Sequence, residues 1–507
     1  MPYISGFDRN QSFLFSLDNF IDDNNPVRLI DAFVEFLDLD SLGFITYSPS
    51  NPGQQPYNRS DLLKLHIYGY MNGVRSSRKL SKETTRNIEL MWLLNNITPA
   101  KSCISDFIKD NQIAIKKTFK QFISFLKYAD FIDNKAAVID GTKIRAQNSR
   151  NKYYSVKKID ATIDFFNSQI DKYISSLKSM NNDESSDSTA TILLKDKINN
   201  YKQKIENYNK IKQDMLNNDL SQITLTDPDS RMMTSHGNSD ISYNLQTSVD
   251  SKNSLIVACD VVSDVNDTNQ LENMVNKTIE NVGAVPESSI ADMGYFNTKQ
   301  IANCEKLNTK VYVKRPKTKN STDNSQFSID KFKFNANKNI YVCPAQKELT
   351  FSRNLRKKKN KDDKETSIIG YEYSCSDCYN CPYFGKCTNS FAGRKITRNY
   401  YQDVLDTVQK RFEDNPEMYT LRKCVVEHPF GTIKRSLGYT YFLHKGKELV
   451  NTESILICLA YDLKRLSNIS KINQIIKKLE MFFSNISSLF YSFFFSSKNL
   501  INFCKIY

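Results

Sequence analysis

Ala136-Ala-Val-Ile-Asp-Gly-Thr-Lys143 is the stretch on which the fold turns. A short apolar run ends in an aspartate, followed at once by glycine and a polar, basic continuation. Such a run, bounded by a turn former, reads as a buried strand that delivers the Asp140 carboxylate to its exposed end. Asp-Gly between two apolar runs is also a hairpin signal, and Asp140 is then only a turn residue. The choice depends on whether the rest of the chain supplies partners for Asp140.

Downstream, Tyr243-Asn-Leu-Gln-Thr-Ser-Val-Asp250 alternates as a strand, Ser251 to Ser254 turns, and Leu255 to Val262 is an apolar strand. A helix follows near 267–281. Ser289-Ile-Ala291 then leads into Asp292, a helix covers roughly 297–307, and Lys310 to Lys314 is one more strand. Strand, strand, strand, helix, strand, helix, strand is the order of an α/β domain with a mixed sheet. Between its first two strands, residues 155–217 carry Ile159, Ile163, Phe166, Ile170 and Ile174 at helical spacing, and Ile192 to Met215 continue the trend. They read as a helical hairpin closed by the polar loop 181–188.

The domain organisation expected is a helical N-terminal DNA-binding domain over 1–130 and a first part of the α/β core over 131–315. A basic, loop-rich, Cys-rich insertion covers 316–400, the last part of the core 401–470, and an apolar tail 471–507. In the first segment Ser60, Ser81 and Ser105 are helix-opening candidates, and Thr98-Pro99 is a break. Arg75, Arg78, Lys79 and Arg86 read either as DNA contacts or as solvated charges. His66 is a core or surface histidine.

Composition narrows the function. Lys+Arg 70 against Asp+Glu 56 gives a net charge of +14, which favours a polyanionic partner, most commonly nucleic acid. The start is polar and lacks a signal peptide. Met481 to Phe495 is too short and too serine-rich to cross a bilayer, so no membrane partner and a cytoplasmic location are expected. Eleven cysteines in a reducing compartment point to metal ligands before disulfides. Cys375-x2-Cys378-x2-Cys381-x5-Cys387, with Cys343 upstream, offers five thiols for four zinc positions. Cys343, Cys378, Cys381 and Cys387 form one set with Cys375 spare; reduced, metal-free cysteines are the alternative.

Ala291-Asp-Met-Gly-Tyr-Phe296 repeats the opening pattern, so Asp140 and Asp292 can meet in one crevice at neighbouring strand ends. Paired carboxylates repel unless a cation bridges them, and hard oxygen ligands favour Mg²⁺ or Mn²⁺. Asp260, Asp264 and Asp267 compete with Asp292 for the second position. The third acid is sought in Cys424-Val-Val-Glu-His-Pro-Phe-Gly-Thr-Ile-Lys-Arg435. Glu427 and Lys434 share a face if one helix holds both, Pro429 suits a first helical turn, and His428 either orients Glu427 or is structural.

These motifs, with Tyr57 to Leu65 and Arg86 to Leu94, resemble bacterial insertion-sequence transposases of the DDE type over residues 10 to about 465. The resemblance implies an RNase H-like (retroviral-integrase-like) mixed sheet flanked by helices, with Asp140, Asp292 and Glu427 as the catalytic, Mg²⁺-binding acids. It implies DNA contacts by Arg422, Lys423, Lys434 and Arg435. The family pattern places a tyrosine and an arginine upstream of the glutamate. Thr420 and Lys423 hold those positions here, with Tyr419 and Arg422 beside them. The activity implied is nicking at terminal inverted repeats and strand transfer into target DNA by a nucleoid-associated homodimer. A nuclease of the same fold and an inactive DNA-binding descendant are the alternatives.

Overall fold

The strand opened by Ala136 does not stop at Asp140. In the computed structural model, which describes residues 16–46, 55–149, 152–180, 188–235, 237–316, 327–356 and 367–485, β1 runs from Ala136 to Arg145. Asp140 pairs with Thr247 and Gly141 with Gln246 in mid-ladder. Both sequence readings are therefore corrected: Asp140 is neither a strand end nor a hairpin turn. A long antiparallel partner carries the backbone hydrogen bonds through Asp-Gly, which outweighs the local turn preference.

Upstream of β1 lie α1 (Pro26–Glu35), α2 (Leu39–Leu42), α3 (Arg59–Met71), α4 (Ser77–Glu83), α5 (Ile88–Leu93), α6 (Lys101–Asp110) and α7 (Gln112–Tyr128). The break at Thr98-Pro99 is present, but the caps differ from expectation. Asn58, not Ser60, caps α3 by accepting the Ser60 N–H at 3.1 Å. Ser81 and Ser105 lie inside α4 and α6. Asn and Ser cap equally well, so local chemistry alone does not choose between neighbours.

Two of the four basic residues weighed as DNA contacts have partners within the chain, Arg75 in the interior and Arg86 at the surface. The Arg75 guanidinium meets Glu453 at 2.9 Å and the Tyr441 carbonyl at 2.7 Å, between the rings of Tyr439 and Tyr441. Arg86 pairs with Glu83, while Arg78 and Lys79 are exposed. His66 is a core residue: its Nε2 donates to the Ile104 carbonyl at 2.9 Å and its ring stacks on Phe107. Burial pushes its pKa down to about 4, below the ordinary 6.5. The unfolded chain therefore binds the extra proton more readily, so this contribution is full above pH 6.5 and is lost as pH falls towards 4. The stability difference between the wild type and His66→Gln is expected to shrink by roughly 3 kcal/mol between pH 7.5 and 4. Urea midpoints of both proteins across that range measure it, and parallel curves would refute it.

After β1 the chain forms β2 (Tyr153–Ser155), α8 (Val156–Met180), α9 (Ser188–Asn217) and β3 (Gln222–Thr224). The two helices run antiparallel, with Phe166 and Tyr173 against Tyr201 and Lys212 on Asp160 at 2.6 Å, above a two-stranded ribbon of β2 and β3. The loop 181–187 lies outside the described residues. Then come β4 (Arg231–Ser235), β5 (Asn238–Asp250), β6 (Ile256–Val262), α10 (Leu271–Val282), β7 (Ser288–Ala291), α11 (Thr298–Lys306) and β8 (Lys310–Val313).

The main sheet has the order β4-β5-β1-β7-β8, with β6 beside β5. Strand β5 runs antiparallel to both of its neighbours β6 and β1, and β7 and β8 run parallel to β1. Val138 and Ile144 face one core with α3, α7 and α14 (Lys447–Ile469). Ile139 faces another with Leu271, Met274 and Ile301.

The Cys-rich segment is more ordered than its loop-rich reading. It holds β9 (Lys333–Asn335), β10 (Ile340–Val342), β11 (Glu348–Arg356), β12 (Ile368–Ser374) and β13 (Lys395–Asn399) in a five-stranded antiparallel sheet. Phe332, Tyr341, Leu349, Tyr373 and Ile396 form its core. These strands are short and interleaved with charged residues, which hides their alternation. Residues 317–326 and 357–366 lie outside the described set. Beyond α12 (Gln402–Asp414), α13 (Glu417–Gly431) and α14, a last helix over 472–485 buries Ile475, Leu479 and Phe482. Phe482 meets Phe125 and Tyr128, so the start of the expected tail is part of the core. The tail after 485 is outside the described residues. Among the described residues, no helix is long and apolar enough to cross a membrane.

Candidate active site

Strand β1 pairs with β7 in parallel register, Val138 opposite Ile290, and the ladder stops there. Two residues further along each chain stand Asp140 and Asp292. Residues two apart on adjacent strands share a face, about 4.8 Å from their neighbours. Asp292 follows β7 with extended backbone and caps the short turn Met293–Tyr295, its carboxylate accepting the Gly294 N–H at 2.8 Å. The Asp140 carboxylate accepts the Gly141 N–H at 2.9 Å and meets the Arg422 guanidinium at 3.2 Å. Burial pushes the Asp140 carboxyl up to about 6. Arg422 and the Gly141 N–H oppose the rise, and the nearby Asp292 and Asp267 charges add to it. Two carboxylates that feel one another beside a buried cation suit a divalent ion.

Arg422 comes from α13, which corrects the reading of Pro429. The helix starts at Glu417, after Pro416, so Pro429 lies near its C-terminal end and Glu427 is far from its start. Proline lacks an N–H, and the helix continues past it as a wider π turn, Thr432–Ser436, in which the Leu437 N–H reaches the Thr432 carbonyl at 2.9 Å. Val425, Val426 and Pro429 face the core. At 100° per residue, Glu427 lies about 140° around the helix from Arg422. Its side chain is exposed, and among the described residues it has no hydrogen-bond or ion-pair partner.

Helix phase also separates the neighbours that the motif left open. Arg422, not Lys423, reaches Asp140. Tyr419, not Thr420, lies under the cations, with Arg422, Lys423 and Lys314 all within 6.0 Å of its ring centre. Lys434 donates to the Lys143 carbonyl at 2.9 Å, and burial together with Lys143 pushes its pKa down. Arg435 and Lys423 are exposed. His428 turns from Glu427 to α14, with Nδ1 2.8 Å from the Tyr461 hydroxyl and Nε2 3.2 Å from Arg465.

The competing acids separate in the same way. Asp260 is held by Lys277 at 3.0 Å and by Asn273, and Asp264 accepts from Gln270. Asp267 lies on the sheet face opposite Asp140, at Gly141. It accepts from Asn244 at 2.6 Å, Gln246 at 2.7 Å and Lys143 at 3.3 Å. Sequence reasoning took Asn244 and Gln246 as ordinary members of an alternating strand. Both are fully buried, and the polar pair at i, i+2, opposite Lys143 and Gly141, is the signal that could have exposed them. A Cβ on Gly141 would stand 2.4 Å from Gln246 Nε2 and 2.9 Å from Asp267 Oδ1. Gly141→Ala is therefore expected to cost about 1–3 kcal/mol, read as a lowered urea midpoint. An unchanged midpoint would contradict this close approach.

Among the described residues, no three His, Cys, Asp or Glu side chains stand together as a ready-made metal site. Asp140 and Asp292 fit a hard divalent cation as a pair, and Mg²⁺ commonly takes only one or two carboxylates, completing its shell with water and phosphate. The five cysteines line one small cavity with Phe332 and Arg394. Cys343 and Cys378 accept the N–H groups of Lys347 and Arg394, each at 3.3 Å. Burial pushes the Cys375 thiol up to about 11 and raises that of Cys387. The thiols are gathered around one cavity, but among the described residues no three of them stand together as a metal-binding group, so the expected zinc set is not supported.

Residues 342–467 match a transposase DDE domain, and residues 15–110 match a transposase domain (DUF772). The first match includes the cysteine cluster and Glu427; the second covers the leading helices. No curated protein and no solved structure matches the chain.

Proposed function

Two transposase domains on one chain indicate an insertion-sequence transposase of the DDE type, and from that premise we propose that this chain nicks DNA at the ends of its element and joins the freed 3′ ends to target DNA. The observation that carries the proposal is that Asp140 and Asp292 both stand two residues beyond the end of the parallel β1–β7 ladder, near enough for the Asp292 charge to act on the Asp140 carboxyl, with Arg422 on that carboxylate. The strand order and directions in the main sheet suit an RNase H-like core. We propose the segments 1–130, 131–315, 316–400 and 401–470 as its functional divisions.

Asp140 and Asp292 would hold Mg²⁺ or Mn²⁺, and the ion would supply Lewis-acid charge to the scissile phosphate. Glu427, exposed on α13 five residues after Arg422, is the proposed third acid. Arg422 contacts Asp140, and Lys434 contacts the β1 backbone at the Lys143 carbonyl. The buried Arg422 Nε has no partner among the described residues, so a phosphate oxygen would complete it. Lys423 and Arg435, both exposed, would hold the flanking backbone as charges. Such contacts are sequence-independent and salt-sensitive. Holding two DNA ends at once calls for a homodimer.

The test incubates full-length protein with a labelled DNA end and a target plasmid in Mg²⁺ or Mn²⁺. Joined products support a transposase. Cut products alone favour a nuclease of the same fold, and binding without cutting an inactive descendant.

A further inference from the structure

The β1–β7 ladder ends at Val138 and Ile290, two residues before either aspartate. Beyond that point no backbone pairing between the two strands sets the distance from Asp140 to Asp292. A side-chain tie does. Tyr295, three residues after Asp292, is fully buried, and its hydroxyl donates to Gln246 Oε1. Gln246 sits opposite Gly141, the residue next to Asp140. The amide has only one workable orientation, because its Nε2 donates to the acceptor-only Asp267 carboxylate at 2.7 Å and leaves Oε1 for the phenol. Asn244 and Lys143 donate to the same Asp267 oxygen, Oδ1.

We propose that Tyr295, through Gln246 and Asp267, is the positioning residue that sets the spacing of Asp140 and Asp292 for a divalent cation. The proposal rests on the reading of those two aspartates as the cation pair. Tyr295 makes no contact with substrate. Its hydroxyl is fixed as a donor, since burial and the three surrounding aspartates keep it protonated far above neutral pH. The relay crosses the sheet: Asp140 opens on the α13 side, while Gln246 and Asp267 lie beneath on the α10 side. An aspartate carried by a short turn after a four-residue strand needs such a support, because the turn alone leaves it free to shift. Loss of an outer partner of a metal-ligating carboxylate typically weakens ion binding about 10–100-fold.

The test is calorimetric titration of Mn²⁺ into full-length, DNA-free protein, with urea midpoints taken in parallel. Tyr295→Phe removes one hydroxyl and is expected to weaken Mn²⁺ binding about 10-fold or more. Asp267→Ala, which frees the Gln246 amide, is expected to do the same. Asp267→Asn keeps an acceptor for Gln246 and is expected to stay within a few-fold of wild type. If Tyr295→Phe binds Mn²⁺ as the wild type does, the proposal is overturned while the aspartate pair stands. If Asp267→Asn and Asp267→Ala weaken binding equally, the relay is merely structural and the proposal also falls. If Asp140→Asn leaves Mn²⁺ binding untouched, the reading beneath it fails, and the proposal with it.

Discussion

Asp140→Asn is expected to lower DNA nicking by about 10³-fold or more, which corresponds to roughly 4 kcal/mol of lost transition-state stabilisation. The substitution keeps the shape of the side chain but only one acceptor oxygen, so either the Gly141 N–H, now on Oδ1, or Arg422, now on Oδ2, faces the amide NH2. It removes the negative charge that Asp140 shares with Asp292 across the end of the β1–β7 ladder. With one carboxylate in place of two, a divalent ion loses most of its hold, and Arg422 is left facing a neutral group. DNA affinity without metal is expected to stay the same or rise slightly, because one negative charge has gone from a cationic surface. Nicking on a labelled end, with binding measured in EDTA, separates the two effects. Nicking within tenfold of wild type would remove Asp140 from the site.

Arg75→Ala is expected to be the most destabilising single change outside that site, at about 3–5 kcal/mol. Glu453 is 0% exposed and Arg75 only 6%, so removing the cation strands a buried carboxylate. The N–H groups of Leu443 and His444 still reach Glu453, which keeps the cost within that range. The change also removes the bond to the Tyr441 carbonyl and the stacking on Tyr439 and Tyr441, and with them a tie between the leading helices and the last third of the chain. Pairing Arg75→Met with Glu453→Gln is expected to recover most of the loss, since no charge is then left buried alone. Urea midpoints measure both. An exposed DNA contact behaves otherwise: its loss weakens DNA binding with little change in midpoint, and that result would return Arg75 to the surface role its sequence suggested.

The order of elements was legible because it rests on local periodicity. Apolar spacing in 155–217 marks α8 and α9, and the apolar run at 255–262 marks β6, whatever their neighbours are. Asp140 and Asp292 were legible as a pair because both follow apolar strand segments, although the reason given for Asp140 was wrong. It lies mid-strand, where β5 carries its backbone through a turn-like dipeptide. The sheet in the Cys-rich segment was missed because its strands are short and its core aromatics are separated by charges.

What the chain's sequence determined by itself was most of the helices and the strands of the main sheet, and which acidic residues follow apolar strand segments. Only the tertiary structure decided which of them meet. It chose Arg422 over Lys423 and turned Glu427 to solvent, because the burial of Val425, Val426 and Pro429 sets the phase of α13. It made Gln246 and Asn244 a buried support under Gly141, because α10 covers that face of β5. Periodicity records which face of an element is apolar; it carries no information on which partner covers that face, and partners separated by hundreds of residues are selected by packing.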